Sequence, residues 1–362
     1  MDNDFSGRET VAATKVHFDA LDGLRALAAY TVVVSHYANL TGVFGGLLGN
    51  GIGQIGVLLF FILSGFLMGR LYLPKSPTVA TVLDFYRRRV ARVVPLFFFA
   101  VLLSYFNWLF RGVYWPFFRM NNSNVLQHLI FWRGDNVFWT IVLEVKFYAL
   151  FPILWGVYRL LGGAAVIVFG LIAAVFFMVP SQWSHFAYHA PAFLVGICLS
   201  LVPLKPFRWS GLIFCALLVA YVLTFPQIRA DLSLTNLPAN RVFTTIWQGP
   251  IYFIVLSALI YVGVVSALAR AMFGNRAMRF LGDISYSVYV WHVLVIAALH
   301  QSIKASPVEM LIPTLLIVTG IATCSYFLVE RPSRNYINRA GRTVRSPGLV
   351  HLTSRVVPPV GT

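Results

Sequence analysis

An arginine and a histidine share one face of the first long apolar stretch of this chain. The segment from Phe18 to Tyr37, FDALDGLRALAAYTVVVSHY, holds Arg25 and His36 together with Asp19, Asp22 and Ser35. Ionisable groups are costly in a lipid-facing helix, so they mark a protein-lined path, a binding site or a catalytic group. A helix over this segment puts Arg25, Ala29, Val32 and His36 on a single stripe. The chemistry open to the pair is acid–base work or transient acyl transfer at His36, with an anionic or carbonyl group held at Arg25. Plainer roles stay open: a histidine bonded to a neighbouring helix, and an arginine paired with Asp22 that reaches for the membrane interface. Eleven residues of helix separate the two groups by about 16 Å, which makes them two stations rather than one dyad.

Four more stretches carry polar groups inside or beside apolar runs. In VLLFFILSGFLMGRL, Ser64 and Gly65 permit close helix approach, and Ser64 offers one weak hydroxyl contact. In DFYRRRVARVVP, Arg88 and Arg89 lie four and three residues before Arg92, a spacing that turns two guanidinium forks toward one phosphate; the bland alternative is a topogenic cluster on anionic headgroups. In FWTIVLEVKFYALFP, Glu144 and Tyr148 share a face, whereas Lys146 points elsewhere; Glu144 is a structural counter-ion or a catalytic assistant, with Arg25 or an outer-loop arginine as its cation. In FLGDISYSVYVWHV, Ser285, Tyr289 and His292 form a stripe that must face protein or water. A further pair, His185 and His189, has metal-like spacing without an acid or cysteine nearby, so no metal is expected and the pair is placed at a substrate entrance.

The elements that must position these groups are membrane helices. The chain has 362 residues, 59% hydrophobic and 11% charged, with mean hydropathy +0.77, too little polar surface for an ordinary soluble domain. Apolar runs fall at 20–40, 52–73, 91–110, 137–158, 164–180, 187–203, 210–225, 243–268, 283–301 and 308–330. The expected fold is an all-α integral membrane protein with about ten transmembrane helices. Alternating these runs across a membrane concentrates Lys and Arg on one side, including Arg87 to Arg89 and Arg92, and leaves the other with Arg111, Arg119, Arg133, Arg229, Arg241 and Lys304. Both termini are therefore expected in the cytoplasm, with Arg25 toward the cytoplasmic half. The formal charge of +16 is spread over short loops and does not argue for nucleic acid. The three cysteines lie inside apolar runs and suit packing. The expected organisation is a cytoplasmic segment 1–17 without signal-peptide character, a transmembrane domain 18–332, and a basic, mobile cytoplasmic tail 333–362 touching anionic lipid.

The ordered set of motifs resembles the acyltransferase family 3 membrane proteins, which acylate cell-surface glycans and some small molecules. Arg25 and His36 are similar to the family's first-helix signature. Phe60, Phe61, Ser64, Gly65 and Phe66 resemble its second-helix block, and Arg89, Arg92 and Pro95 its Arg-x-x-Arg-x-x-Pro motif. Trp139, Glu144, Phe147 and Tyr148, the block ending at His292, and Glu330 to Pro332 follow in order. The resemblance implies an O-acyltransferase of the bacterial inner membrane that uses acetyl coenzyme A or another acyl-CoA as donor substrate, with no bound cofactor. It implies donor binding at Arg88, Arg89 and Arg92, catalysis at His36, Arg25 and Glu144, and path-lining roles for Ser64, Tyr148, Ser285, Tyr289 and His292. Glu330 is expected to pair with a cation and Pro332 to stop the last helix.

Many members of that family carry a fused extracytoplasmic esterase-like domain, and no Gly-Asp-Ser block follows the membrane region here, since Gly282-Asp283 precedes Ile284. The expectation is transfer by the membrane domain alone, as monomer or homo-oligomer, or completion by a separate extracytoplasmic partner. The acceptor is expected to be a sugar hydroxyl of an exported oligosaccharide or surface polysaccharide. Two other readings compete: a transporter or flippase without covalent chemistry, and a scaffold or sensor in which Arg25 and His36 serve assembly alone.

Overall fold

The computed structural model describes residues 18–115, 118–179, 184–232 and 242–343, which fold as helices and connecting turns. Each of the ten apolar runs contains helix. α1 (Asp19–Thr41), α2 (Ile52–Tyr72), α3 (Val79–Arg111) and the short α4 (Val125–Leu129) are followed by α5 (Phe138–Leu161), α6 (Ala165–Phe177), α7 (His185–Leu201), α8 (Ser210–Leu223) and α9 (Pro226–Asp231). The second half holds α10 (Val242–Gln248), α11 (Pro250–Val265), α12 (Ala267–Phe273), α13 (Arg276–Asp283), α14 (Ser285–Ser302), α15 (Pro307–Ser325) and α16 (Arg331–Thr343).

Among the described residues, four stretches are each long and apolar enough to cross a membrane: α2, α3, α5 with α6, and α15 with its continuation; counting each of two bent pairs as one span gives six. About ten were expected. The difference has local causes. α10 and α11 meet at a 55° bend beside Pro250, α13 and α14 meet at 65° beside Ile284, α7 and α8 are shorter apolar helices, α5 and α6 run on as one stretch, and α1 is diluted by Asp22, Arg25, Ser35 and His36. The arrangement is that of a multi-pass membrane protein.

α1 sits at the centre. It touches α2 and each of α11 to α15, and its buried alanines Ala20, Ala26, Ala28, Ala29 and Ala38 let those neighbours close in around it. The tightest helix pair is α2 with α7, and it is made by two glycines. A Cβ on Gly65 would stand 2.1 Å from the Phe193 carbonyl oxygen, and one on Gly196 would stand 2.1 Å from that of Ile62. Backbone therefore meets backbone, and Phe193 is sandwiched between Phe61 and Phe147 with ring centroids 4.3 and 4.1 Å away.

Two boundaries differ from expectation. α3 starts at Val79, capped by the Thr78 hydroxyl on the Thr81 N–H, so the arginine cluster lies within the helix instead of ahead of it. The last helix does not stop at Pro332. A π turn over Tyr326–Glu330 widens the backbone just before it, which relieves the clash a proline makes with the carbonyl four residues earlier. α16 then continues to Thr343 and packs on α3, so eleven residues of the segment expected to be mobile, 333–343, are helical; 344–362 and 1–17 lie outside the described residues.

Candidate active site

Two chambers meet inside the helix assembly, and Val57 and Tyr289 line both. The first is lined by Arg25, Ser64, Arg89, Arg92, Glu144, Tyr148, Ser285, Tyr286 and Tyr289 among apolar side chains. Helical period brings these residues together. Arg89 and Arg92 are one turn apart on α3, Glu144 and Tyr148 one turn apart on α5, and Ser285 and Tyr289 one turn apart on α14.

Arg89 is held by aromatic faces. Its guanidinium carbon lies 5.9 Å from the Tyr72 ring centre, 5.8 Å from Phe85 and 5.6 Å from Tyr148, a desolvated cation–π setting. Arg92 is in the field of Glu144, Glu330 and Asp22. Both side chains are enclosed by protein yet half-buried, because their remaining exposure is to the chamber. Arg88 turns away: its Nε donates to Asp84 at 2.8 Å and it is exposed. The three arginines expected together are thus divided, two in the chamber and one outside.

Glu144 accepts hydrogen bonds from Ser64 Oγ at 3.1 Å and from Tyr148 Oη. Both hydroxyls land on Oε1, no ion pair to Glu144 is present among the described residues, and the carboxylate opens on the arginine chamber, not on His36. Arg25 donates to Ser285 Oγ at 3.3 Å and meets Asp22 at 3.5 Å. The Asp22 contact expected of an interfacial arginine is present, but Arg25 is only 9% exposed and points into the chamber. Glu330, 2% exposed, takes a hydrogen bond from Ser287 at 2.9 Å and lies in the field of Arg92 and Arg334.

The second chamber, about 1240 Å³, holds His36 together with Gln54, Trp132, Asp135, Asn136, Trp139, Lys146, His185 and Phe243. Beside His36, its ring centroid 5.1 Å away, stands His292. The His292 Nδ1 donates to the Tyr289 carbonyl at 2.7 Å, which fixes the tautomer and leaves Nε2 as a lone-pair acceptor without a partner, in a side chain with no exposure. Tyr289, the wall between the chambers, is pinned by its hydroxyl, which donates to the Val137 carbonyl at 3.1 Å and accepts from Thr140 at 2.8 Å. His185 lines the chamber, while His189 spends its Nδ1 on the His185 carbonyl of its own helix, 2.7 Å away.

A model of acyltransferase family 3, described as an acyltransferase domain, matches residues 18–331. The chain belongs to this family of membrane acyltransferases. Among its curated relatives, the Bacillus subtilis (strain 168) protein named "Putative peptidoglycan O-acetyltransferase YrhL" is 26% identical, over 88% of this chain and 55% of the relative. The Staphylococcus aureus (strain NCTC 8325 / PS 47) O-acetyltransferase OatA is 23% identical, over 88% of this chain and 57% of the relative. The chain thus spans a little over half the length of these proteins. No solved structure matches it.

Several side chains of the site were not singled out by sequence reasoning: Gln54, Trp132, Asp135 and Tyr286, whose hydroxyl donates to the Val93 carbonyl at 2.8 Å. Lys146 had a visible signal, a cation left inside an apolar run with no acid one turn away. Pairing Lys146 with the Trp132 loop required the fold.

Proposed function

We propose that this protein is a membrane O-acyltransferase that moves an acyl group, acetyl in the simplest case, from acyl-CoA to a sugar hydroxyl of an envelope or exported glycan. The observation that carries the reading is the pair of chambers back to back: one lined by guanidinium groups, one lined by His36 with the buried His292 ring against it, and Val57 and Tyr289 shared between them. The chain sits in the bacterial inner membrane with both termini cytoplasmic and crosses it about ten times, the shorter and bent helices included. The arginine chamber faces the cytoplasm, in keeping with the basic residues on that side.

In this reading Arg89 and Arg92 bind donor phosphate, for which paired guanidinium forks are suited, and Arg25 holds the pantetheine arm. The arm spans the distance between the two stations on α1 and brings the thioester past Tyr289. The sugar oxygen attacks the thioester carbonyl, the new C–O bond forms as the C–S bond breaks, and His36 takes the hydroxyl proton and passes it to the departing thiolate. His292, anchored on the Tyr289 carbonyl, positions His36 by the edge-on contact of the two rings. Glu144, fixed by Ser64 and Tyr148, balances the arginine charges when the chamber is empty of phosphate.

The acceptor follows from the relatives only as a class. One of them is named for peptidoglycan, so peptidoglycan is the first acceptor to try, with exported oligosaccharide and polysaccharide next. The test is label transfer by purified, reconstituted protein from acetyl-labelled coenzyme A to these glycans. Formation of an alkali-labile acetyl ester that depends on the protein is the expected result. Absence of any ester across the panel contradicts the proposal.

A further inference from the structure

Lys146 is a charge without a counter-charge. It stands two residues from Glu144 on α5, so the helical turn sends its ammonium away from that carboxylate and into the His36 chamber. There its Nζ lies 5.8 Å from the centre of the Trp132 ring, and among the described residues no carboxylate is within ion-pair distance of it. The acid in the chamber, Asp135, is already engaged: Arg133 Nε donates to it at 2.6 Å. The remaining titratable groups facing the chamber are His36, His185 and Tyr289, with His185 within the electrostatic reach of Lys146. A wider cleft continues beyond Asp135 and Asn136 and adds Arg119 and His300 but no second acid.

The chamber thus presents a half-buried ammonium whose neighbouring carboxylate is already paired with Arg133. A ligand that carries a negative charge gives that ammonium its partner. Trp132 indicates what else the ligand offers. Its indole is 73% exposed at the rim, with the ammonium beside one face, and an open indole face stacks on the apolar C–H face of a pyranose ring. A single ammonium is a point charge suited to a monoanionic carboxylate, whereas this protein places paired guanidinium groups where phosphate is proposed to bind. From this geometry we infer that Lys146 and Trp132 form a subsite for a carboxylate-bearing sugar of the acceptor, the indole stacking on the ring and the ammonium pairing with the carboxylate. The inference rests on the proposed reading of the His36 chamber as the acceptor side, and it narrows the acceptor to an acidic glycan.

The test is equilibrium binding of trigalacturonate and of its methyl ester to the purified full chain in detergent, with no acyl donor present, each variant first matched to the parent in unfolding midpoint. The parent binds the acid at least about tenfold tighter than the ester. Lys146→Met removes the preference and Lys146→Arg restores most of it. Trp132→Ala weakens both sugars alike, since stacking is blind to the charge. Equal affinity for acid and ester in the parent, a preference that survives Lys146→Met, or no saturable binding of either sugar overturns the inference. Because no transfer is measured, these failures leave the acyltransfer reading standing. A charge preference found in a protein that forms no acetyl ester contradicts the acyltransfer reading alone.

Discussion

The imidazoles of His36 and His292 stand with centroids 5.1 Å apart and planes at 69°, and the second ring has one nitrogen committed to the Tyr289 carbonyl and the other unpartnered. An orphaned acceptor in a fully buried side chain costs stability, so its retention beside a candidate base has a functional explanation. His292→Phe, made at equal abundance, is expected to lower turnover by about 10² while leaving the KM for acyl-CoA unchanged, since the other chamber is the one proposed for the donor. Steady-state kinetics with varied donor checks this. Unchanged turnover reduces His292 to packing.

The arginines of α3 divide by direction. Arg89→Gln and Arg92→Gln are each expected to raise the KM for acyl-CoA by about tenfold or more, the loss of a charge-assisted contact to phosphate. Arg88→Gln is expected to change it by no more than about twofold, since that side chain is exposed and bonded to Asp84. Donor titrations of the three variants give the comparison, and equal effects at all three positions contradict the division.

Gly65 and Gly196 let α2 and α7 touch through their backbones. Alanine at either position forces the helices apart and is expected to destabilise the protein by roughly 1–3 kcal/mol, as overpacking does. Thermal unfolding in detergent measures it. Gly156→Ala, where a Cβ meets nothing within 4 Å, is expected to be neutral or slightly stabilising.

The fold orders the loop before α5 around His128, whose Nδ1 donates to the Asn124 carbonyl and whose Nε2 accepts from the Asp135 N–H. Burial holds this imidazole below its usual value of 6.5, against the pull of the Asn124 carbonyl and the Asp135 carboxylate. The unfolded loop takes up its proton near the usual value and the folded loop resists it, so stability is intact above about pH 6.5 and falls as pH drops below it. Because Asp135 and Asn136 line the His36 chamber, acceptor affinity is expected to fall over the same range. Binding measured from pH 7.5 to 5.5 tests this, with His128→Gln expected to flatten the dependence.

Much of this architecture was legible in the residues. The stripe through Arg25 and His36 reappears on α1 as two stations in two chambers, and the α14 stripe supplies Ser285 to one chamber, Tyr289 to their shared wall and His292 to the side of His36. Helical period fixes which side chains share a face, but not how that face is rotated against its neighbours. For that reason the partners of Glu144 were open, and they proved to be Ser64 and Tyr148 instead of an arginine. The start of α3 was placed late because residues 79–90 are amphipathic rather than apolar, so an apolar run does not register them. The passage through Pro332 depends on a π turn, a backbone adjustment with no signature in residue type.

The central claim is that His36 performs chemistry on the acceptor side. It is tested most directly by acetyl transfer from labelled acetyl-CoA to glycan with His36→Ala protein at equal abundance and with acyl-CoA binding measured in parallel. The account predicts a loss of transfer of about 10²-fold or more with donor binding retained. Transfer at the parent rate contradicts it.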